Sequence, residues 1–209
     1  MNIHDIYRPF LKYFRKKRMR RFQQQFGVTP LTRVLDVGGG SFNWLLLNYL
    51  PQLTILNISI SEEMHGPYTS VVADGRYLPF KDKSFDIVYS NSVIEHLQNR
   101  ENQQRFASEC QRVGVRLYLQ TPNKRFPIEP HLLTPVIHWL PLSLQKRLVR
   151  NFTVWGIIAR PTQEVCLIFL KEVRFLNEKE FRQLFPEAII WHERFLGLTK
   201  SFIAVKNIN

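Results

Sequence analysis

The stretch VLDVGGGSFNW, residues 34–44, joins a buried apolar strand to a glycine-rich turn and the start of a helix. The strand carries Asp36, and Gly38 and Gly40 let the backbone turn tightly and approach a ligand, because glycine has no Cβ. The helix start that follows offers free N–H groups. Asn43 occupies the third position of a dinucleotide-binding G-x-G-x-x-G turn, and the Gly-Lys-Ser/Thr of a P-loop is absent. Another kind of ligand is therefore expected at this turn.

Short apolar runs and helical stretches alternate along the rest of the chain. The predicted strands cover 34–37, 53–60, 69–73, 85–90, 115–120, 188–195 and 198–205, and the predicted helices cover 6–26, 42–49, 100–112 and 177–185. Strands separated by helices favour parallel pairing. The last two strands flank a turn at Gly197 and predict an antiparallel hairpin. The expected fold class is α/β, with a seven-stranded, mostly parallel sheet and helices on both faces.

A second informative stretch is VVADGRYLPFKDKSFDIVYSNSVIEHL, residues 71–97. An Asp–Gly pair, Asp74 and Gly75, follows one predicted strand, and a strand containing FDIV follows that pair. Asn57 ends the second strand about 20 residues after the glycines, where related folds place a side chain that binds ribose.

Together, the D-x-G-x-G turn, the A-D-G-x-x-L-P-F-x-D-x-S-F-D-x-V run and the I-E-H-L ending resemble class I S-adenosylmethionine-dependent methyltransferases. The nearest branch includes many bacterial small-molecule and quinone methyltransferases. The resemblance covers residues 30–121 and, more loosely, 172–206. It implies a Rossmann-like sheet and S-adenosylmethionine as the cofactor. The cofactor-binding residues that it implies are Asp36, Gly38, Gly40, Asn57, Asp74, Gly75, Ser90 and Asn91.

The resemblance also implies a role for each position. Asp36 and the glycines surround the methionine end of the cofactor, Asp74 accepts from the adenine amino group, and Ser90 and Asn91 lie beside the sulfonium. Asn57 departs from the family, which usually has Asp or Glu there. An amide has one carbonyl acceptor for two ribose hydroxyls. The expected loss of cofactor binding is roughly 1.5–3 kcal/mol.

Two histidines are candidate catalytic residues. An acceptor oxygen or nitrogen often needs a general base, and histidine suits this role near neutral pH. His96 follows the fourth strand and His131 follows the fifth, so both are expected on the ligand side of the sheet. Glu95 and His96 also resemble half of the metal-ligand set of small-RNA 2′-O-methyltransferases, but Ser92 stands where those enzymes have another Glu. Because Mg²⁺ prefers oxygen ligands, no metal site is predicted.

The first 26 residues carry eight Lys and Arg against one acidic residue, out of a net charge of +12 for the whole chain. The predicted helix over 6–26 spaces Phe10, Phe14, Phe22 and Phe26 along its length, so it is expected to pack these aromatics on the domain and leave its bases in water. Such a helix attracts polyanions, either an anionic membrane surface or nucleic acid. Methylation of RNA is accordingly one alternative function.

Residues 122–170 contain half of the prolines of the chain and are long for a connector. Long connections inside compact domains usually serve as lids or binding elements. This segment is apolar and aromatic, and basic stretches flank it, so it predicts an acceptor-side lid for a small or lipid-linked acceptor. The alternative interpretation is an ordinary insertion that packs around its own small core.

The 209 residues predict a single domain, with a basic N-terminal helix over 1–29 and the inserted lid over 122–170. Two cysteines without metal spacing, no apolar run near the 18 residues of a membrane span and no signal-peptide pattern predict a cytoplasmic protein, at most peripheral to the inner face of a membrane. The predicted activity is methyl transfer to oxygen or nitrogen. The alternative to an enzyme is a catalytically silent protein that keeps this fold and acts as a scaffold or binding partner.

Overall fold

The computed structural model describes residues 3–59 and 66–207, with side chains from Tyr13 onward. The strands are β1 (Arg33–Val37), β2 (Gln52–Asn57), β3 (Thr69–Val72), β4 (Phe85–Asn91), β5 (Gly114–Pro122), β6 (Ile128–Glu129), β7 (Thr134–Pro135), β8 (Ile189–Phe195) and β9 (Leu198–Lys206). The α-helices are α1 (Ile3–Phe26), α2 (Ser41–Trp44), α3 (Arg100–Val113), α4 (Leu142–Phe152), α5 (Val154–Ala159), α6 (Gln163–Glu172) and α7 (Glu178–Leu184). Single 3₁₀ turns cover Ile94–His96 and Ile137–Trp139.

Seven strands form one sheet in the order β3-β2-β1-β4-β5-β9-β8. The first five pair in parallel, with Val34 opposite Leu53 and Ile87 at the centre of the sheet. The strands β9 and β8 add as an antiparallel hairpin, with Leu117 opposite Lys206. The predicted fold is therefore confirmed. The strand order reverses between β1 and β4, and in open α/β sheets ligands bind at the carboxyl ends of the strands at such a point.

Alternate residues of the central strands face two separate hydrophobic clusters. Leu35, Val88 and Leu117 face the side covered by α3 and α7, where Phe106 and Phe181 are fully buried. The neighbouring strand residues face the other side, where α1 and α2 contribute Met19, Phe22, Phe26 and Trp44. Helices on both faces exclude water from the sheet, as parallel sheets require.

The helix α1 begins at Ile3, three residues before the predicted start, and ends before Gly27, whose φ of +54° suits a residue without Cβ. Phe14, Phe22 and Phe26 are buried as predicted. Phe10 lies among the residues whose side chains are not described. The expectation that all the bases of this helix lie in water is wrong for Arg18, which is only 7% exposed.

The helix predicted over 42–49 is only the single turn α2. After Leu45 the chain turns back, and the Tyr49 hydroxyl donates to the Val28 carbonyl, so this segment is tied to the end of α1. The second strand ends at Asn57, which is earlier than predicted, and residues 60–65 lie outside the described part of the chain.

The segment after β5 forms the β6–β7 ribbon, α4, α5 and α6 around its own small cluster of Leu132, Ile137, Val149 and Cys166. The hydroxyl of Thr153 caps α5 by accepting from the amide of Gly156. Among the described residues, no helix is long and apolar enough to span a bilayer.

Candidate cofactor and acceptor site

The glycine turn after β1 is built around a buried carboxylate. Asp36 is 0% exposed, and its Oδ2 accepts from Trp44 Nε1 at 2.7 Å. A Cβ on Gly39 would lie 1.9 Å from Asp36 Oδ2, and Gly38 has a φ of +75°, so side chains at either position would distort the turn. The Gly38 amide donates to the Leu56 carbonyl at 2.7 Å and fixes the turn on β2.

The second carboxylate oxygen of Asp36, Oδ1, is buried without a hydrogen-bond partner among the described residues. Burial raises the pKa of Asp36 to about 7, and the Trp44 hydrogen bond opposes the rise only in part. A buried acceptor of this kind fits a cationic donor, because an ammonium group would satisfy the oxygen and stabilise its charge. The residues around the turn therefore fit the amino-acid end of S-adenosylmethionine.

Asn57, at the end of β2, contacts the same turn. Its Nδ2 donates to the Gly39 carbonyl at 2.8 Å. A carboxylate has no hydrogen to donate, so an acidic residue could not make this bond. The amide at this position therefore stabilises the glycine turn itself, which gives a physical reason for the departure from the family pattern.

Asp74 and Gly75 follow β3 at the same edge of the sheet. The Arg76 guanidinium lies 2.5 Å from Asp74 Oδ2, and its hydrogen bonds hold the pKa of Asp74 below the ordinary value. A Cβ on Gly75 would lie 2.8 Å from the Phe106 ring, so the backbone passes close to the core. Asp74 is thus an ionised acceptor with little freedom to move.

Ser90 and Asn91, at the end of β4, are already hydrogen-bonded. The Ser90 hydroxyl donates to the Val37 carbonyl at 2.8 Å and ties β4 to β1. The Asn91 carbonyl oxygen accepts from Arg18 Nη1. Together, these two residues connect the glycine turn with the helix α1.

Arg18 is a residue of the site that the sequence interpretation missed. Its Nη2 lies 2.7 Å from Glu193 Oε2 on β8, and its Nη1 donates to the side-chain oxygen Oε1 of Gln120 at 3.5 Å. Burial opposes ionisation of Glu193, but Arg18 and Lys200 outweigh it and lower the pKa of that carboxyl to about 2. The spacing of four residues from Phe14 and Phe22 is the signal that places Arg18 on the buried face of α1.

A cavity of about 200 Å³ opens beside Asn91, between α1, the ends of β4 and β5, the terminal hairpin and the lid segment. Its walls are largely apolar, from Phe14, Phe126, Ile128, Pro130, Leu133 and Phe195. Polar groups also line it, from Arg15, Arg18, Ser92, Asn123, Lys200 and Ser201. An apolar pocket with a few convergent polar groups is typical of a small-molecule site.

His96 and His131 contact each other with ring centroids 4.9 Å apart, and His131 follows Pro130 of the cavity wall in the sequence. His131 Nδ1 lies 2.7 Å from Oε1 of Glu129, which is 1% exposed. Burial lowers the pKa of His131, but Glu129 and Glu95 outweigh it and raise that pKa above the ordinary value. Although His96 as a residue is exposed, partial desolvation of its ring and the neighbouring His131 lower its pKa to about 4.

Glu95 completes this group from the buried side. Its Oε2 accepts from the Thr121 hydroxyl at 3.1 Å, and its Oε1 has no partner among the described residues. Burial raises the pKa of Glu95 to about 7. One potential ligand atom from each of Glu95, His96 and His131 lies within 4.8 Å of the others, which is close enough for a cation to bridge them.

Comparison with known proteins agrees with this geometry. Residues 35–115, which contain the glycine turn, Asp36 and Asp74, match the family model described as a methyltransferase domain. The chain is 35% identical to the malonyl-[acyl-carrier protein] O-methyltransferase of Methylococcus capsulatus, over 44% of this chain and 38% of that protein. It is 28% identical to the probable tRNA methyltransferase 9B of Bos taurus, over 54% of this chain and 27% of that protein.

The chain thus spans less than two-fifths of the length of these curated relatives. Among solved structures, the magnesium protoporphyrin IX methyltransferase of Synechocystis PCC 6803 with bound SAH has a TM-score of 0.57 at 16% identity, over 94% of this chain and 83% of that one. At that identity the likeness shows the fold alone. The domain match and the fold together show a methyltransferase domain over residues 35–115, set in a Rossmann-like sheet.

Proposed function

We propose that this chain binds S-adenosylmethionine and transfers its methyl group to an oxygen or nitrogen of a small or lipid-linked acceptor. The observation that carries the proposal is the buried Asp36 carboxylate, whose partnerless oxygen lies in the glycine turn of a methyltransferase domain. The apolar cavity beside Asn91 supports a separate acceptor pocket. When bound, the cofactor supplies the electrophilic methyl group, and the chain supplies orientation and a dry pocket.

The proposed cofactor contacts follow the carboxyl edge of the sheet. Asp36, Gly38 and Gly40 hold the amino-acid end, and Asp74 and Gly75 bind the adenine. Asn57 faces the ribose from the turn that it stabilises, and Ser90 and Asn91 border the reacting end. Support comes from their convergence on one edge, where the sheet order reverses.

His131 is the proposed general base, with Glu129 as the residue that orients it. A proton on Nδ1 that is donated to Glu129 leaves Nε2 as the acceptor, the arrangement by which carboxylates orient catalytic imidazoles. His96 is the second proposed catalytic residue, because its neutral ring lies against His131. Residues 1–209 would act as one domain, with the basic helix over 1–29 and the lid over 122–170 covering the acceptor.

A lipid-linked acceptor is supported by the outer surface of the lid. Phe152 is 68% and Ile157 59% exposed, close in sequence to Arg147 and Arg150. Apolar and basic groups on one surface favour peripheral contact with an anionic membrane, on the inner face if the protein is cytoplasmic. Flotation with anionic vesicles should recover the wild type and lose a variant that carries Phe152→Ser and Ile157→Ser.

RNA methylation is the second candidate, since α1 exposes Lys16, Lys17 and Arg20 and one relative is described as a tRNA methyltransferase. RNA binding would weaken steeply with salt. Because α1 buries Phe22 and Arg18, charge-removing substitutions of its exposed bases test this better than deletion of the helix.

The direct test of activity is transfer of radiolabelled methyl groups to lipid, small-molecule and RNA extracts. We expect the wild type to label one of these extracts. This labelling should be lost in Asp36→Asn and kept in the surface control Asp82→Asn. Cofactor binding without labelling of any extract would instead favour the silent scaffold.

A further inference from the structure

Charge is distributed unevenly around the acceptor cavity. Two cationic side chains that line it, from Arg18 and Lys200, lie close together around one acidic residue. The described charged partner on this side is a single carboxylate, Glu193, which accepts both from Arg18 at 2.7 Å and from Lys200 at 3.1 Å. The cluster therefore carries an excess of positive charge next to apolar walls.

These cations are partly removed from water. The side chains of Arg18 and Lys200 are 7% and 18% exposed, and Lys200 Nζ lies 3.5 Å from the centroid of the Phe14 ring. Desolvation, together with repulsion by Arg18, lowers the pKa of Lys200 although Glu193 raises it. Grouped buried cations with one shared carboxylate are costly unless another anion joins them.

Much of the apolar lining comes from a different part of the chain than the two cations. Phe126, Ile128, Pro130 and Leu133 come from the lid segment, whereas Lys200 and Phe195 come from the terminal hairpin. A ligand that fills the cavity would place an apolar body against the lid and its polar end against the cations. A positively charged ligand end would be repelled.

We propose that the acceptor is an amphiphilic anion, an apolar molecule whose carboxylate or phosphate binds Arg18 and Lys200 at the hairpin side of the cavity. This inference rests on the proposed function and specifies its acceptor class.

The test is calorimetric titration with decanoate, decyl phosphate and decanol, each in the presence of saturating S-adenosylhomocysteine. We expect either or both anions to bind at least tenfold more tightly than decanol, and the preferred one identifies the anionic group. Lys200→Gln should remove most of this preference, whereas Lys206→Gln, on the same strand but outside the cavity, should keep it.

Equal binding of decanol and the anions, no binding of either anion, or an unchanged preference in Lys200→Gln would overturn the inference. Circular dichroism and thermal unfolding confirm that each variant is folded. Binding of S-adenosylhomocysteine is measured separately in the same samples, so a failure of the acceptor class is distinguished from a failure of the proposed function.

Discussion

Glu129 and His131 form a pair in which an oxygen of the buried carboxylate lies 2.7 Å from Nδ1 of the half-buried imidazole. The other Glu129 oxygen accepts from the Leu132 amide, so the carboxylate cannot rotate away. The pair thereby fixes the orientation of the His131 ring, whose centroid lies 4.9 Å from that of His96, the second ring of the proposed catalytic site.

This pairing predicts a pH dependence of methyl transfer. Because the pKa of His131 is raised, its ring becomes a neutral base only above the ordinary histidine value, so the rate should rise with pH through a midpoint above about 6.5. Glu129→Gln should move that midpoint down. The measurement is the pH profile of kcat/KM. The matched control is Glu178→Gln, because Glu178 lies 3.2 Å from another histidine, His192, and it should leave the profile unchanged. An unmoved midpoint in Glu129→Gln would refute the role of Glu129 in setting the pKa of His131.

Asp36 predicts that stability falls as pH rises. The folded-state pKa of about 7 exceeds the ordinary 3.8, so the folded chain keeps a proton that the unfolded chain loses. The free energy of unfolding should therefore decrease between about pH 4 and 7, by at most about 1.4 kcal/mol per pH unit for this group. Urea unfolding without added cofactor should show a shallower decrease for Asp36→Asn. Parallel curves for Asp36→Asn and the wild type would contradict the buried, partly protonated state.

The Arg18–Glu193 pair predicts a strong dependence of stability on the carboxylate that neutralises a buried arginine. Glu193→Gln leaves Arg18 without its charge partner and should destabilise the chain by about 3–5 kcal/mol. Glu187→Gln removes a carboxylate that pairs with Lys206 at the surface and should have little effect. Denaturant unfolding compares the two variants, and equal losses of stability would show that Arg18 is not held as described.

Magnesium should not stimulate the reaction. Glu95, His96 and His131 offer a single carboxylate, whereas Mg²⁺ prefers an octahedral set of oxygen ligands. The methyl-transfer rate should be the same with added Mg²⁺ and with EDTA. Stimulation by Mg²⁺ that disappears in Glu95→Gln would overturn the assignment of the two histidines as bases.

The sheet was predictable because its information is local. The apolar runs over β1 and β4 alternate with helical segments, and the glycine turn marks the edge where Asp36 and Asp74 converge. The terminal hairpin follows from the turn at Gly197, whose φ is +80°. At these positions the local residue pattern alone determines which residues form strands, where the chain turns and in which direction the strands run.

The polar contacts between distant elements were not predictable. Arg18 and Glu193 are 175 residues apart. The run of bases in α1 does not indicate which of them pairs with a carboxylate, because the pairing depends on how the helix packs against the sheet. The contact between His96 and His131 likewise depends on how the segment 122–170 packs against the sheet. Such contacts arise from tertiary packing, which a single sequence does not encode in any local spacing.

Calorimetric titration with S-adenosylhomocysteine measures directly whether the carboxyl edge of the sheet binds the cofactor. We expect binding in the micromolar range to the wild type, at least tenfold weaker binding to Asp74→Ala, and unchanged binding to Asp82→Ala on the exposed loop before β4. No detectable binding to the folded wild type, or equal affinity in Asp74→Ala, would contradict the cofactor site described here.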